Sequence, residues 1–186
     1  EYNSQISKMV VGFKDEGRRD ILDPLALALT RSIVAALDLI GYSGGAIRLF
    51  PAPSSDRARR RRGGSHTATL AERAKELSPE LPLEVHDVLA AKRSRDQVGL
   101  GAIERAENAQ RTQYLDRRRI AEISEPRAVS GTGSASADVL IDDFSTTGAT
   151  LAESARLLAS VQIRPAVGAV LGLGRGGTRF VSPFTV

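Results

Sequence analysis

The chain has 186 residues, 41% of them apolar and 26% charged, with a net charge of +4, no cysteine and no tryptophan. That is enough chain to bury a core as a single domain over 1–186, and too apolar a composition for disorder. The missing cysteines exclude disulfides, thiolate zinc modules, iron–sulfur clusters and cysteine nucleophiles, and they suit a reducing, cytoplasmic setting. The two histidines, His66 and His86, are too few and too far apart for a histidine metal site. No stretch reads as a membrane span or a signal peptide, since the most apolar one, 25–40, is interrupted by Arg31 and Asp38. The sequence begins at Glu1 rather than Met, which leaves room for a natural start upstream. The charge is local: Arg57, Arg59, Arg60, Arg61 and Arg62 exceed the whole net charge, so one basic loop sits on a nearly neutral body.

Residues 20–40 carry Leu22, Leu25, Leu29, Ile33, Leu37 and Ile40 at spacings of three and four, which predicts a helix. Asp20 or Asp23 is expected to cap it, Pro24 suits its first turn, and Gly41 should stop it. The short apolar run 46–50 predicts a buried strand that Pro51 and Pro53 end abruptly. Helical spacing returns over 67–77 through Leu70, Ala74 and Leu77, and 83–89 predicts the next strand. Residues 91–118 are polar and arginine-rich, which predicts an exposed arm or lid over 92–118 with short helical stretches. Residues 130–136 predict a flexible turn, and Val139-Leu140-Ile141 predicts a buried strand. A helix is expected from about 150 to 160, and 166–173 is a last apolar strand. The alternation predicts an α/β fold of three layers, αβα, with a mostly parallel central sheet of about five strands and a small hood or arm.

The chemistry concentrates in one segment. Asp142 and Asp143 stand where a buried strand meets the top of the sheet, and Ser145, Thr146, Thr147, Gly148, Ala149 and Thr150 then lead into a helix. Ligands of open α/β sheets bind at the carboxyl ends of the strands. Successive backbone N–H groups at a helix N-terminus cradle an anion, with the hydroxyls of Ser145, Thr146, Thr147 and Thr150 as further donors. The loop lacks the glycines and lysine of a Walker loop. Two carboxylates would repel a bare phosphate, so a ligand with hydroxyls beside its phosphate, such as a ribose 5-phosphate, is the economical match.

Asp-Asp-x-x-x-Thr-Gly-x-Thr after an apolar strand resembles the phosphoribosyl pyrophosphate (PRPP) motif of the type I phosphoribosyltransferases. Pro51-Ala52-Pro53, Arg62 to His66, Leu70-Ala71, Arg93-Ser-Arg-Asp-Gln97 and Glu104-Arg105-x-x-Asn108 look like landmarks of the competence protein F (ComF) family, as does the stretch from Phe13-Lys14 to Arg18-Arg19. Gly64, Ser65 and His66 stand where that family has Phe, Asn and Gln, and its cysteine-rich zinc module has no counterpart here. The resemblance implies a phosphoribosyltransferase that releases pyrophosphate to an acceptor base or amine, or else a PRPP-binding regulator or a DNA-uptake accessory. It implies Mg²⁺ held mainly by substrate oxygens and water. Asp142 and Asp143 would take the ribose hydroxyls and 145–150 the 5′-phosphate. Ser54, Ser55 and Arg57 fall where the family's pyrophosphate loop would be, and Arg93, Arg95, Gln97 and Arg105 are lid candidates. The expected partners are PRPP and its acceptor, with single-stranded DNA a weaker candidate because aromatic residues are only 4% of the chain. A second copy of the chain is a further candidate partner. Neither a membrane nor zinc is expected.

Two other signals carry less. Gly172-Leu-Gly174-Arg-Gly-Gly177 matches G-x-G-x-x-G in form, yet too little chain follows for a dinucleotide fold. His66 and His86 show no sequence partner and are expected at the surface rather than in catalysis.

Overall fold

The computed structural model describes residues 4–53, 65–92, 107, 110–123 and 136–174. A helix over Ser4–Asp15 (α1), which the sequence reading did not expect, precedes a 3-10 turn at Arg19–Ile21 and the long helix Leu22–Leu39 (α2). Neither Asp20 nor Asp23 caps α2, whose N-cap is Ile21 without a side-chain bond. Both carboxylates are engaged by arginines instead, Asp20 by Arg18 and Asp23 by Arg73. Gly41 does end α2. Its φ of +63° suits glycine, and Gly41 N and Tyr42 N return to the carbonyls of Asp38 and Leu37 at 3.2 and 3.1 Å, which closes a Schellman turn.

Strand Ile47–Pro51 (β1), helix His66–Leu77 (α3) and strand Leu83–Val85 (β2) follow. The expected strand over 83–89 is two strands in two sheets. After β2 the chain leaves the sheet through His86 and Asp87, where Arg119 Nη1 binds both the carbonyl and the carboxylate of Asp87 at 2.7 and 2.6 Å. Strand Leu89–Ala91 (β3) then pairs antiparallel with Gln113–Leu115 (β4), and the short helix Arg117–Ala121 (α4) is capped by Asp116. Strand Ala137–Ser145 (β5), helix Ala149–Ala159 (α5) and strand Val167–Leu173 (β6) complete the described chain.

Among the described residues the main sheet has four parallel strands in the order β2-β1-β5-β6. These are four strands of the expected mostly parallel α/β sheet, and β3 and β4 form a separate two-stranded ribbon. β5 lies at the centre, and Val139, Leu140 and Ile141 have no exposed surface, as a strand covered on both faces requires. Val139 and Ile141 join Leu25, Leu29, Ile33 and Leu70 from α2 and α3 on one face. Leu140 joins Phe50, Leu89, Leu151 and Leu158 on the other. Arg48 and Asp138, opposite each other in the β1–β5 register, make a bidentate ion pair at 2.6 and 2.8 Å. Ser32 of α2 donates to Val170 O at 2.8 Å and accepts from Val170 N at 3.2 Å, which satisfies backbone groups of β6 that β5 does not reach.

Candidate functional site

The strand order creates the site. The chain leaves β1 toward β2 on one side and returns to β5 on the other, so the carboxyl ends of β1 and β5 flank a topological switch point, where open α/β sheets take ligands. β1 pairs with β5 only as far as Pro51 opposite Ile141, with one more bond from Ala52 N to Ile141 O at 2.7 Å. β5 continues beside β6 to Ser145. Asp142 and Asp143 therefore stand past the end of β1 on a strand still held from one side. They lie within β5, which runs on to Ser145 before the turn begins.

Neighbours on a strand point to opposite faces. Asp143 turns toward α1 and α3, where His66 Nε2 donates to its Oδ2 at 2.8 Å and Lys14 Nζ donates to the same oxygen at 3.1 Å. Burial alone would raise the Asp143 carboxyl; the hydrogen bond from His66 and the charge of Lys14 outweigh it and hold the group well below the usual carboxylate range. Asp142 turns the other way, and its Oδ1 accepts the Asp143 N–H at 2.8 Å. Burial, then the charge of Asp143, pushes its carboxyl well above the ordinary value. Side by side, one acid is set to stay ionised and the other to hold its proton more readily.

The turn after the acids runs into α5. Gly148 is its N-cap with φ +74°, and a Cβ there would meet nothing within 4 Å, so glycine answers a left-handed backbone rather than a crowded one. Thr147 Oγ1 accepts from Ala149 N at 3.4 Å, Thr146 is exposed, and the Thr150 carbonyl accepts from Gln113 Nε2 of β4 at 3.4 Å. Ser145 is 4% exposed, and its Oγ has no hydrogen-bond partner among the described residues. The first backbone N–H groups of an α-helix have no partner within it, so the start of α5 offers donors beside these hydroxyls.

Gly172 and Gly174, the first glycines of the apparent dinucleotide motif, have a packing reason. A Cβ on Gly172 would run into the Phe144 ring, and one on Gly174 would lie 2.9 Å from Thr146 Cγ2. They let β6 lie close under the Asp142–Thr150 turn.

His66 is corrected from surface to core. Only 9% exposed, it opens α3 next to its N-cap Ser65, whose Oγ accepts from Ala68 N. His86 is half-buried, stacked on Phe50 with 5.5 Å between ring centroids, and its Nε2 stands 3.6 Å from Glu84, beyond hydrogen-bond reach. Lys14 and His66 are the site residues that reasoning from spacing missed, because they lie 129 and 77 residues from Asp143. The available signal was that both fall within stretches resembling family landmarks. Ser54, Ser55, Arg57, the Arg59–Arg62 run, Arg93, Arg95, Gln97 and Arg105 lie outside the described residues.

Among the described residues there is no group of three His, Asp or Glu that could hold a metal ion. An ion carried mainly by substrate oxygens and water would need no such group. Among the same residues no helix is long and apolar enough to cross a membrane.

No protein-family model matches the chain, and no curated protein matches it. Among solved structures it is similar to a hypoxanthine phosphoribosyl transferase of Trypanosoma cruzi, at 15% identity and a TM-score of 0.41 over 90% of this chain and 71% of that one. A likeness at that distance bears on neither the site nor its chemistry.

Proposed function

We propose that the protein binds PRPP at the carboxyl end of β5 and transfers its phosphoribosyl group to an acceptor base or amine with release of pyrophosphate. One observation carries the reading: a carboxylate at a topological switch point is followed at once by a glycine-pivoted, hydroxyl-lined turn into the N-terminus of an eleven-residue helix. That order suits a sugar phosphate, because the acid accepts hydrogen bonds from ribose hydroxyls while Ser145 to Thr150 surround the 5′-phosphate with neutral donors. In this reading Asp142 carries the ribose contact. The resemblance to the PRPP motif, and more loosely to the ComF family, points the same way.

Breaking the bond from C1 to pyrophosphate builds positive charge on the sugar, which a carboxylate beside the ribose would stabilise. Mg²⁺, when bound with the substrate, would offset the charge of the leaving pyrophosphate. Ser54, Ser55 and Arg57 are assigned to that pyrophosphate, and Arg93, Arg95, Gln97 and Arg105 to a lid that excludes water. The single domain over 1–186 is part of the same proposal.

The test has two parts. Calorimetry with PRPP and ribose 5-phosphate should show binding that Asp142→Asn weakens by about ten- to a hundredfold, the worth of hydrogen bonds to a charged group. Pyrophosphate release from Mg²⁺–PRPP, followed with a panel of nucleobases and ammonia, should then identify the acceptor. A protein that binds neither ligand would overturn the proposal, and one that binds PRPP without turnover would leave a PRPP-binding regulator in its place.

A further inference from the structure

Asp143 spends its acceptor capacity inside the protein. Oδ1 takes the backbone N–H of Phe144 at 2.7 Å, and Oδ2 takes both His66 Nε2 at 2.8 Å and Lys14 Nζ at 3.1 Å. The residue is 8% exposed. Turning that carboxylate toward a ligand would strip a buried imidazole and a partly buried ammonium of their shared acceptor, at a cost that a single sugar hydroxyl cannot offset. Asp142 is its opposite. It keeps intermediate exposure, its Oδ1 accepts one backbone N–H, and its Oδ2 meets no donor among the described residues.

The partners of Asp143 also come from far apart in the chain. Lys14 is in the last turn of α1, and His66 is the first residue of α3. One buried oxygen therefore ties two helices to the end of the central strand, two residues before Ser145.

We propose that the acid pair is divided in function: Asp142 alone meets the hydroxyls of the ligand, and Asp143 is an internal counter-ion that locks α1 and α3 to the end of β5. The ligand half rests on the sugar-phosphate reading above; the lock does not. Lys14 and His66 then hold α1 and α3 to the end of β5 through Asp143, a role in stability rather than in ligand contact. The opposed electrostatics of the two carboxyls agree with this division.

The experiment uses the full chain and three readouts: thermal midpoints, calorimetry with ribose 5-phosphate and PRPP, and the ¹⁵N signals of the His66 ring. Asp142→Asn should weaken both ligands at least about tenfold with the midpoint held or raised and the His66 signals unmoved. Asp143→Asn should lower the midpoint, shift the His66 Nε2 signal and leave affinity little changed at a temperature where the protein is folded. If Asp143→Asn instead cost as much affinity as Asp142→Asn while midpoint and ring signals stayed in place, the division would be wrong. Should Asp143→Asn fail to fold, His66→Ala and Lys14→Met take its place. Both should lower the midpoint, and His66→Gln, whose amide can still donate to Asp143, should regain part of it. Unchanged midpoints in those variants would overturn the lock. A wild type that bound neither sugar phosphate would remove the reading above, and the midpoints and ring signals would still decide the role of Asp143.

Discussion

At the scale of single residues, adjacent Asp142 and Asp143 have opposite linkage to folding. The folded pKa of Asp142 is raised, first by burial and then by the charge of Asp143. As pH falls from neutral, the folded protein takes up that proton before the unfolded chain does, so stability rises until the unfolded value near 3.8. The Asp143 carboxyl is depressed because the hydrogen bond from His66 and the charge of Lys14 outweigh its burial. Below the unfolded value the unfolded chain therefore binds the Asp143 proton first, and stability falls with further acid. The two groups together should give a stability maximum in mild acid. Asp142→Asn should be more stable than wild type at pH 7 and should lose the gain on acidification. Urea unfolding at intervals from roughly pH 3 to pH 8 measures this; a wild type whose stability only fell over that range would contradict the assignment.

At the scale of elements, the end of β6 approaches the site turn closely because Gly172 within it and Gly174 just after it lack side chains. The Phe144 ring lies where a Gly172 side chain would be, and Thr146 crowds Gly174. Gly172→Ala should cost about 1–3 kcal/mol through overpacking. Adding Phe144→Leu should return part of that, since the ring is the atom group in the way. Denaturation midpoints of the single and double variants check it; equal losses in both would place the strain elsewhere. β5 and β6 share the turn that α5 opens, so a shift of β6 should be felt at Thr146 before it reaches the helix.

At the scale of the whole molecule, one sheet serves two cores. Leu29 of α2 and Leu158 of α5 are almost wholly buried on opposite faces of it, at 1% and 0% exposure. Each change to Ala should cost about 2–5 kcal/mol. Because Leu29 and Leu158 lie on opposite faces of the sheet, the two losses should add within a few tenths of a kcal/mol and unfolding should stay a single transition. A second transition in either variant would mean that the two layers fold apart.

The local pattern of the chain was enough for α2, α3, α5, β1, β6 and the apolar heart of β5. Their periods and stop signals, such as Gly41 after α2, act within a few residues and need no distant partner. It was also enough to single out 142–150, because an acid pair, a glycine and threonines in that order are a local arrangement. It could not show that Asp142 and Asp143 diverge. That follows from β5 running on beside β6 past the end of β1, so that the pleat sends the two side chains to opposite faces. Nor could it show that 83–89 divides between two sheets, because the partners of its two halves, β1 and β4, are distant in the chain. His66 and Lys14 were invisible as partners for the same reason. A hydrogen bond across 77 or 129 residues leaves no period in the sequence, and only the packing of α1 and α3 against the sheet brings those groups to one buried oxygen.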